Sequence, residues 1–308
     1  MTVQQMITEV YENSTENSEL DPRTAGAFDI TSDGAVKCLG YLNRAYEFVC
    51  SYKEQAGRPL RFEELKSISR FQLDLEEGTC QAGSTTANIV LAATASAVDD
   101  YYNGWVVKLD GGTNSGEYRV IVDYDGATTT ATVNRAWTTA PDATTTYDLY
   151  KNFYSLSDMN ISPQERVFGI LKCWDLYQKS EVHYGSRDSE YIQNLETAQV
   201  PTEYIFKRDQ LIFNYPYNVA RWYEVEYYTL PSELAGADES PVIPEGFHQA
   251  MIFYANYLDA LKQVDAETIT NWYRAAINTI RTQIVDNDVD FSRRDQGFII
   301  DNAYDRRY

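Results

Sequence analysis

The composition of the chain changes sharply between Gly78 and Tyr150. This segment is rich in Thr, Ala and Gly and has short β-type runs, whereas helix-forming sequence lies on both sides of it. Threonine favours strands because its branched Cβ restricts χ1 and suits a pleated surface. We therefore predict an inserted all-β module, sandwich-like or barrel-like, within a host domain whose two flanks fold together.

Five segments of the module have strand-like sequence: Asn88–Ala92, Trp105–Leu109, Tyr118–Tyr124, Thr129–Asn134 and Thr145–Tyr150. Asp125-Gly126 lies between two of them and is a hairpin-turn signal, because glycine tolerates positive φ. The host domain adds a strand at Glu165–Leu171 and a tight hairpin across Tyr204–Phe213. Arg221–Tyr228 alternates, with Tyr223, Val225 and Tyr227 on one face and Trp222, Glu224 and Glu226 on the other, which predicts a half-buried strand.

The helical patterns lie at both ends of the chain. Val3–Tyr11 has helical spacing, and a longer helix begins at the capping residues Ser32-Asp33, with an apolar stripe formed by Val36, Leu39, Leu42, Tyr46 and Val49. Near the carboxyl end, two apolar stripes predict an antiparallel helical hairpin, the second helix capped by Asp265. Its predicted core is Phe247, Met251, Tyr254, Leu258, Leu261, Ile269, Trp272 and Ile280.

These elements predict an α+β fold: a helical bundle with a long α-hairpin and a small antiparallel sheet, plus the inserted all-β module. The host domain is predicted to span residues 1–77 and 151–285, the module residues 78–150, and an extended arm residues 286–308. The arm has isolated aromatic side chains and arginine pairs, so it cannot fold alone but can order against a partner. The alternative is a frayed terminus. Its candidate docking residues are Phe291, Arg293, Arg294, Phe298, Ile299, Tyr304 and Tyr308.

Charge and cysteine content restrict the class of protein. The formal net charge of −20 argues against binding nucleic acid by phosphate neutralisation, although it allows DNA to pass without adhering. From the charge alone, solubility is the favoured explanation. There is no run of 18 apolar residues and no secretory signal at the start, so neither a membrane span nor export is predicted. Four cysteines far apart, with no CxxC pair, indicate a reduced intracellular state before assembly.

No residue pattern predicts catalysis, a cofactor or a metal. His183 and His248 have no motif partner, and no His or Cys cluster has metal-ligand spacing. Asp110–Gly116 is glycine-rich, but it lacks the Gly-Lys-Ser/Thr ending and leads into a strand, so a hairpin loop is expected. The adjacent carboxylates Asp99-Asp100 and Glu76-Glu77 point opposite ways in an extended chain. We expect no catalytic, cofactor-binding or metal residues and no enzymatic activity.

Aromatic residues are concentrated in or beside the module: Tyr101, Tyr102, Trp105, Tyr118, Trp137 and Tyr147. One interpretation is a platform on which sugars stack. The other is that Trp105 and Trp137 fill a small β core while the tyrosines cover its edges, which we favour because small β modules need bulky core residues.

Two segments of the host carry a known pattern: Tyr227-Tyr228-x-x-Pro231-x-x-Leu234 and Pro241-x-Ile243-Pro244-x-x-Phe247-His248. The two segments follow the paired strands Tyr204–Phe213 and Tyr223–Tyr228, and a long helix, Asp33–Ala56, precedes them. With this order of elements the chain resembles the head-to-tail adaptor (connector) proteins of tailed bacteriophages, including the tail tubular protein A type. The module resembles a β module of phage virion proteins through Tyr102–Trp105, Gly111–Gly116, Val122–Gly126 and Ala136–Asp142. Many adaptors lack such an insert.

The resemblance implies a structural virion protein that forms a ring of about twelve subunits. The ring would join the capsid portal to the tail and line the DNA channel, with the arm reaching into the portal. Implied partners are other copies of the chain, the portal protein, a tail or nozzle protein and passing double-stranded DNA without specific binding, with no membrane. The location is the virion neck after assembly in the host cytoplasm. The alternatives are a glycan- or receptor-binding virion component acting through the module, and a tail-associated glycosidase or peptidase.

Overall fold

A computed structural model describes residues 1–14, 17–53, 60–185, 198–263 and 266–286. These residues form two compact units. The first unit contains the described residues of 1–67, 165–168 and 228–286, and the second contains those of 68–164 and 169–227. The α-helices of the described chain lie in the first unit, and most of its strands lie in the second.

The helices of the first unit are α1 (Val3–Asn13), α2 (Asp33–Cys50), α3 (His248–Gln263) and α4 (Ala266–Asp286). Hydroxyl caps start the first two: the side chain of Thr2 accepts the backbone N–H of Gln5, and that of Ser32 accepts the N–H of Ala35. Such caps satisfy N–H groups that have no partner within the helix. The predicted cap Asp265 lies outside the described residues.

The buried faces of α1 and α2 follow the sequence pattern in different degrees. In α1 the buried residues occupy the predicted positions, Val3, Met6, Ile7, Val10 and Tyr11. In α2 the buried face is rotated: Val36, predicted inward, is 55% exposed, whereas Ala35 and Cys38 are buried. Leu42 and Tyr46 are buried as expected. This helix ends at Cys50, before the predicted end at Ala56.

Aromatic rings connect three of the helices. The rings of Phe253 in α3 and Trp272 in α4 lie 5.7 Å apart. On α2, the ring of Phe48 stacks on that of Tyr254 in α3, with centroids 3.9 Å apart and an interplanar angle of 8°. Such ring pairs contribute about 0.5–1.5 kcal/mol beyond the area they bury. Ring contacts therefore link α3 to both α2 and α4.

In chain order the strands are β1 (Arg23–Thr24), β2 (Ala27–Phe28), β3 (Lys66–Gln72), β4 (Leu75–Thr79), β5 (Asn88–Val90), β6 (Val106–Gly111), β7 (Tyr118–Asp125), β8 (Thr130–Val133), β9 (Thr146–Tyr150), β10 (Phe153–Ser155), β11 (Val167–Asp175), β12 (Ser180–Tyr184), β13 (Glu203–Lys207), β14 (Gln210–Phe213) and β15 (Trp222–Thr229). β1 and β2 form a two-stranded ribbon. A seven-stranded sheet has the order β10-β14-β13-β12-β11-β15-β3, and a six-stranded sheet has the order β4-β9-β6-β7-β8-β5.

The seven-stranded sheet contains the alternating strand predicted from the sequence. In β15, Tyr223 and Val225 are buried while Trp222 is 51% exposed, which confirms the predicted division of faces. β13 and β14 form the predicted tight hairpin, and its two turn residues, Arg208 and Asp209, have φ of 52° and 59°. Positive φ at both central positions is the turn geometry that matches strand twist. β12 runs parallel to β13.

The six-stranded sheet lies between Leu75 and Tyr150 and is curled. Its two edge strands, β4 and β5, come close together: the N–H of Gln81, just after β4, donates to the carbonyl of Val90 in β5, 2.9 Å away. β5 to β9 correspond to the five predicted strands. The sheet encloses a core of its own, formed by Cys80, Ile89, Leu91, Tyr102, Trp105, Val107, Leu109, Ile121, Tyr124, Ala131, Val133, Trp137, Tyr147 and Leu149. The domain boundaries given above stay a prediction.

The turn between β7 and β8 contains the predicted Asp125-Gly126 pair, but glycine is needed there for another reason. A Cβ on Gly126 would lie 2.5 Å from the carbonyl carbon of Ala97, so a larger residue does not fit. The N–H of Gly126 also donates to Oδ1 of Asp99, 2.9 Å away. The left-handed residue of this turn is Thr129, with φ of 51°. Close approach of two backbones therefore selects the glycine.

The predicted fold class, a helical bundle with a long α-hairpin and a small antiparallel sheet plus an inserted all-β module, is wrong. The chain is mostly β, with two curled sheets of seven and six strands. The error has a physical origin, because half-exposed strands such as β4, with the sequence Leu-Glu-Glu-Gly-Thr, lack clear alternation. Amphipathic helices have a stronger sequence signal than such strands, so the sequence pattern overstates the helical share of the fold.

Candidate assembly surfaces

The cysteines have no reactive environment. All four are buried free thiols: Cys38, Cys50, Cys80 and Cys173. Burial raises the pKa of Cys38 and of Cys80 to about 12, and raises that of the other two as well. Because the thiolate is the nucleophile and the metal ligand, these side chains serve as small apolar core residues.

The two histidines belong to different units and have different surroundings. His248, at the start of α3, is 3% exposed; its Nε2 lies 3.0 Å from the carbonyl oxygen of Ile243 and its Nδ1 lies 3.1 Å from the amino nitrogen of Met1. Burial lowers the pKa of His248. His183 is exposed on β12, where it pairs with Glu203 of β13. His248 therefore packs at the start of a helix.

The glycine-rich segment Asp110–Gly116 joins the antiparallel strands β6 and β7, so the expected hairpin loop is confirmed. Thr113 Oγ1 donates to Oδ2 of Asp142, 2.9 Å away, and the Asn114 side-chain amide donates to the carbonyl of Thr139. Hydrogen bonds, first those from Thr144, lower the pKa of Asp142 to about 2. The loop is held against its neighbours and forms no phosphate cradle.

One carboxylate of each adjacent pair accepts a hydrogen bond that stabilises the fold. Glu76 accepts a hydrogen bond from the hydroxyl of Tyr102, and Asp99 accepts one from the N–H of Gly126. Among the described residues, no group of three or more His, Cys, Asp or Glu side chains could hold a metal ion. Within the same residues, no helix has the length and apolar content needed to span a bilayer.

Trp105 and Trp137 fill the core of the module, as the favoured interpretation predicts, but Tyr102 and Tyr147, expected at its edges, also lie in that core. Trp105 and Trp137 are 3% and 2% exposed and belong to the core of the six-stranded sheet, with Tyr102 and Tyr147. Tyr101 is the exposed ring of this group, at 49%. A flat row of sugar-stacking rings is therefore not formed by these residues.

The predicted hairpin core divides into three classes of burial. Phe247, Met251 and Ile280 are buried, Leu261 is 47% exposed, and the half-buried residues are Tyr254, Leu258, Ile269 and Trp272. Phe247 packs edge-on against Phe62, with ring centroids 4.9 Å apart. Tyr254 stacks on α2 as described. Several of these side chains thus contact segments other than the paired helix. The candidate arm residues, Phe291, Arg293, Arg294, Phe298, Ile299, Tyr304 and Tyr308, lie outside the described residues.

Residues 230–247, named here the connecting segment, lead from β15 into α3 and are fixed to α2. The side chain of Asn43 accepts from the N–H of Leu234 at 2.8 Å and donates to its carbonyl at 3.0 Å. The hydroxyl of Tyr46 accepts the N–H of Val242 at 2.7 Å. Two side chains of one helix therefore hold an otherwise irregular segment, which needs such partners for its backbone groups.

A cleft of about 250 Å³ lies in the same unit, beside the connecting segment. Its charged lining residues are Arg44, Glu47, Arg166 and Glu233. Arg166 pairs with Glu47 at 2.8 Å, and the two signs are equal in number. The lining thus favours neither an anion nor a cation.

The second unit has a concentration of exposed apolar side chains. Of the fifteen large hydrophobic residues that are exposed in the described chain, six lie in the stretches 174–184 and 219–222: Trp174, Leu176, Tyr177, Tyr184, Val219 and Trp222. The two stretches are adjacent, since the N–H of Leu176 donates to the carbonyl of Trp222 at 3.1 Å. Contiguous exposed apolar area of this kind marks interaction sites.

A buried carboxylate lies on the opposite face of the same strands. Asp175 is 1% exposed and lies 3.4 Å from the Arg221 guanidinium and 3.2 Å from the Tyr223 hydroxyl. The Arg221 guanidinium in turn lies over the rings of Tyr177, at 4.3 Å, and Tyr217, at 4.8 Å. We define the aromatic patch as Trp174, Leu176 and Trp222, three exposed side chains of adjacent strands.

Charges beside the aromatic patch are compensated. Lys172 Nζ lies 3.2 Å from the carboxylate of Glu226, and Arg70 Nε lies 2.7 Å from that of Glu224. The turn after β11 and the following strand add Lys179 and Glu181, one charge of each sign. The patch and its border are therefore close to neutral, in a chain whose net charge is −20.

Lys151, between β9 and β10, is a buried cation of the second unit. Its Nζ lies 3.0 Å from Oδ2 of both Asp74 and Asp158 and 5.1 Å from the ring centroids of Trp105 and Tyr154. Its side chain is 8% exposed. This ion cluster links Lys151, which follows β9, to Asp74, in the turn before β4.

No protein-family model matches the chain, and comparison with curated proteins found no match. Proposals about function therefore depend on the residues and contacts described above.

Proposed function

We propose that the protein is a structural virion protein, a head-to-tail adaptor that forms a ring between the capsid portal and the tail of a tailed bacteriophage. In this proposal it is not an enzyme. The ring has about twelve subunits and lines the DNA channel. The support comes from the resemblance of residues 204–248 to that family and from where the residues of the two motifs lie.

The carrying observation is the burial pattern of the motifs. In the first motif, all four specified residues are buried: Tyr227, Tyr228, Pro231 and Leu234. In the second, the buried residues are Pro241, Ile243, Phe247 and His248, and Pro244 is half-buried. The unspecified positions are exposed or half-buried throughout. The residues that carry the resemblance are therefore the ones that determine how the connecting segment folds, which supports a shared local structure over a chance match.

Two buried motif residues also contact backbone polar groups, one in a distant segment and one within the motif itself. The hydroxyl of Tyr228 accepts the N–H of Phe62 at 3.2 Å, and His248 contacts the carbonyl of Ile243. Since each contact satisfies a polar group in a low-dielectric interior, a replacement at either position would be destabilising. These roles are structural, in keeping with a protein whose task is to hold others together.

The charge supports the conduit role. With a net charge of −20 per chain, a ring repels a passing polyanion from its acidic faces and allows DNA to move without adhering. In this proposal the partners are the portal protein, a tail or nozzle protein and double-stranded DNA without specific binding. The location is the virion neck, after assembly in the host cytoplasm. Binding of the arm, residues 286–308, to the portal stays a prediction.

Native mass spectrometry of the full chain tests the proposal. Alone, the chain is expected to be monomeric or weakly associated; mixed with the portal protein of the same phage, it should form a ring of fixed stoichiometry. Asn43→Ala, which releases the connecting segment, should weaken this complex, whereas the exposed Glu233→Gln should not. Absence of any stoichiometric complex with the portal would refute the proposal.

A further inference from the structure

We propose that two oppositely charged surfaces of this chain bind each other between neighbouring copies. The first, named the acidic edge, consists of exposed aspartates beside and within β7: Asp99, Asp100, Asp123 and Asp125. The second, named the arginine stripe, consists of Arg274 and Arg281 on α4. This inference rests on the proposed function and deepens it, because it names the surfaces through which neighbours in the ring meet.

Two hydrogen bonds bring the segments of the acidic edge together. The N–H of Asp100 donates to the carbonyl of Tyr124, and Oδ1 of Asp99 accepts the N–H of Gly126, each at 2.9 Å. The other two aspartates lie two residues apart in β7, so their side chains share the face of the strand opposite the buried Tyr124. The edge therefore concentrates like charges along two adjacent segments.

The charges of the acidic edge are not compensated by any described lysine or arginine. The cations of β6 and β7 pair elsewhere, Lys108 with Asp110 and Arg119 with Glu117. Exposed apolar side chains lie among the aspartates along the chain: Val98 at 63%, Tyr101 at 49% and Val122 at 53% exposure. Exposed apolar area surrounded by unpaired negative charge is a binding surface that selects a cationic partner.

The arginine stripe lies on the solvent side of α4. Arg274 and Arg281 are seven residues apart, which places them on one helix face about 10 Å from each other, away from the buried Ala276 and Ile280. Neither arginine forms an ion pair with a described residue. The adjacent Tyr273 is 42% exposed. Two unpaired guanidinium groups beside an exposed ring select an anionic partner surface.

Charge complementarity identifies the occupant of both surfaces as a second copy. The acidic edge selects cations, the arginine stripe selects anions, and each copy of the chain supplies one of each. Double-stranded DNA is instead repelled by the acidic edge and by the net charge of −20 per chain. A contact between two different surfaces leaves one of each free on every pair of copies, so further copies can add until a ring closes.

Charge reversal tests this by sedimentation velocity of the full chain. In the edge, Asp123 is the residue to change, because the other three carboxylates accept hydrogen bonds within the module. Asp123→Arg should weaken self-association at least about tenfold, although it lowers the net negative charge. Arg274→Glu should weaken it similarly. Arg44→Glu, which reverses an exposed arginine of α2 without a described ion pair, should change it by less than about twofold.

A mixture of the two reversed variants separates a contact between copies from one within a copy. Asp123→Arg and Arg274→Glu should associate with each other at near wild-type strength, because every edge then meets a stripe of opposite sign. Circular dichroism verifies that each variant is folded. As a second readout, the charge-conserving Arg274→Lys should be cross-linked by carbodiimide to an aspartate of the edge. In a mixture of ¹⁴N- and ¹⁵N-labelled chains, the cross-linked peptides should carry both labels.

Four outcomes would overturn the inference. They are a wild type that stays monomeric up to about 1 mM, equal effects of Arg274→Glu and Arg44→Glu, no association in the mixture, and a monomer that binds a DNA duplex through Arg274. Asp123→Arg rings of normal stability on the portal would also overturn the inference and leave the proposed function standing. Charge-dependent association without any portal complex would do the reverse.

Discussion

Replacing Lys151 by methionine tests how the second unit is held together. Methionine keeps the length and the apolar stem that lies near Trp105, but it removes the charge. The two carboxylates of Asp74 and Asp158, each 3.0 Å from the Lys151 Nζ, would then face each other without a cation. The substitution therefore isolates the electrostatic part of the cluster from its packing.

The expected loss of stability depends on how exposed the side chains of Lys151, Asp74 and Asp158 are. Removing one partner of a buried ion pair costs about 3–5 kcal/mol, because the remaining charge is left uncompensated. The Lys151 side chain is 8% exposed, but those of Asp74 and Asp158 are 42% and 34% exposed, so water stabilises them in part. Loss of the cation over its aromatic rings adds about 1 kcal/mol, offset by the buried methionine. We expect the substitution to lower the free energy of unfolding by about 2–3 kcal/mol.

Urea unfolding followed by tryptophan fluorescence measures this, because the Trp105 ring lies 5.1 Å from the ammonium group. Lys172→Met is the control: its side chain is 44% exposed and pairs with Glu226, so the loss of this ion pair should cost less than about 1 kcal/mol. Adding Asp74→Asn and Asp158→Asn to Lys151→Met should recover part of the loss. If Lys151→Met were no more destabilising than the control, the ion cluster would have no role in holding this unit together.

Two further predictions concern titration and reactivity. In the folded chain the pKa of Asp142 is lowered from 3.8 to about 2, so the unfolded chain binds more protons between these two pH values. The hydrogen bonds of the Asp142 carboxylate should therefore stabilise residues 110–116 fully above pH 3.8. This stabilisation should be lost as the pH falls toward 2. Amide exchange of the loop against pH measures this, with Asp142→Asn as control, and loosening at pH 5 would contradict it. The four buried thiols are those of Cys38, Cys50, Cys80 and Cys173. They should resist Ellman's reagent at pH 8 in the folded chain and react after denaturation. Fast labelling of the native chain would disprove their burial.

Local elements could be predicted where the sequence has a strong period or a specific turn. The alternation of β15 and the hairpin from Tyr204 to Phe213 were recognisable because one face of each strand is buried and the turn needs positive φ. Global architecture could not be predicted in the same way. β3 and β4 are edge strands with mixed polar sequence, and their membership in the sheets depends on partners far away in the chain.

The aromatic patch shows which part of a site a single sequence can indicate. The alternation of β15 places Trp222 on the face that also bears Glu224 and Glu226, so an outward tryptophan was predictable from the strand alone. Its neighbours were not, because the predicted strand before them ended at Leu171, short of Trp174. Conversely, aromatic residues are numerous in the module, yet most of them fill a core. A large ring among charged residues on an alternating strand is thus a better guide to an interaction surface than aromatic content, because only the alternation tells which side chains the fold leaves exposed.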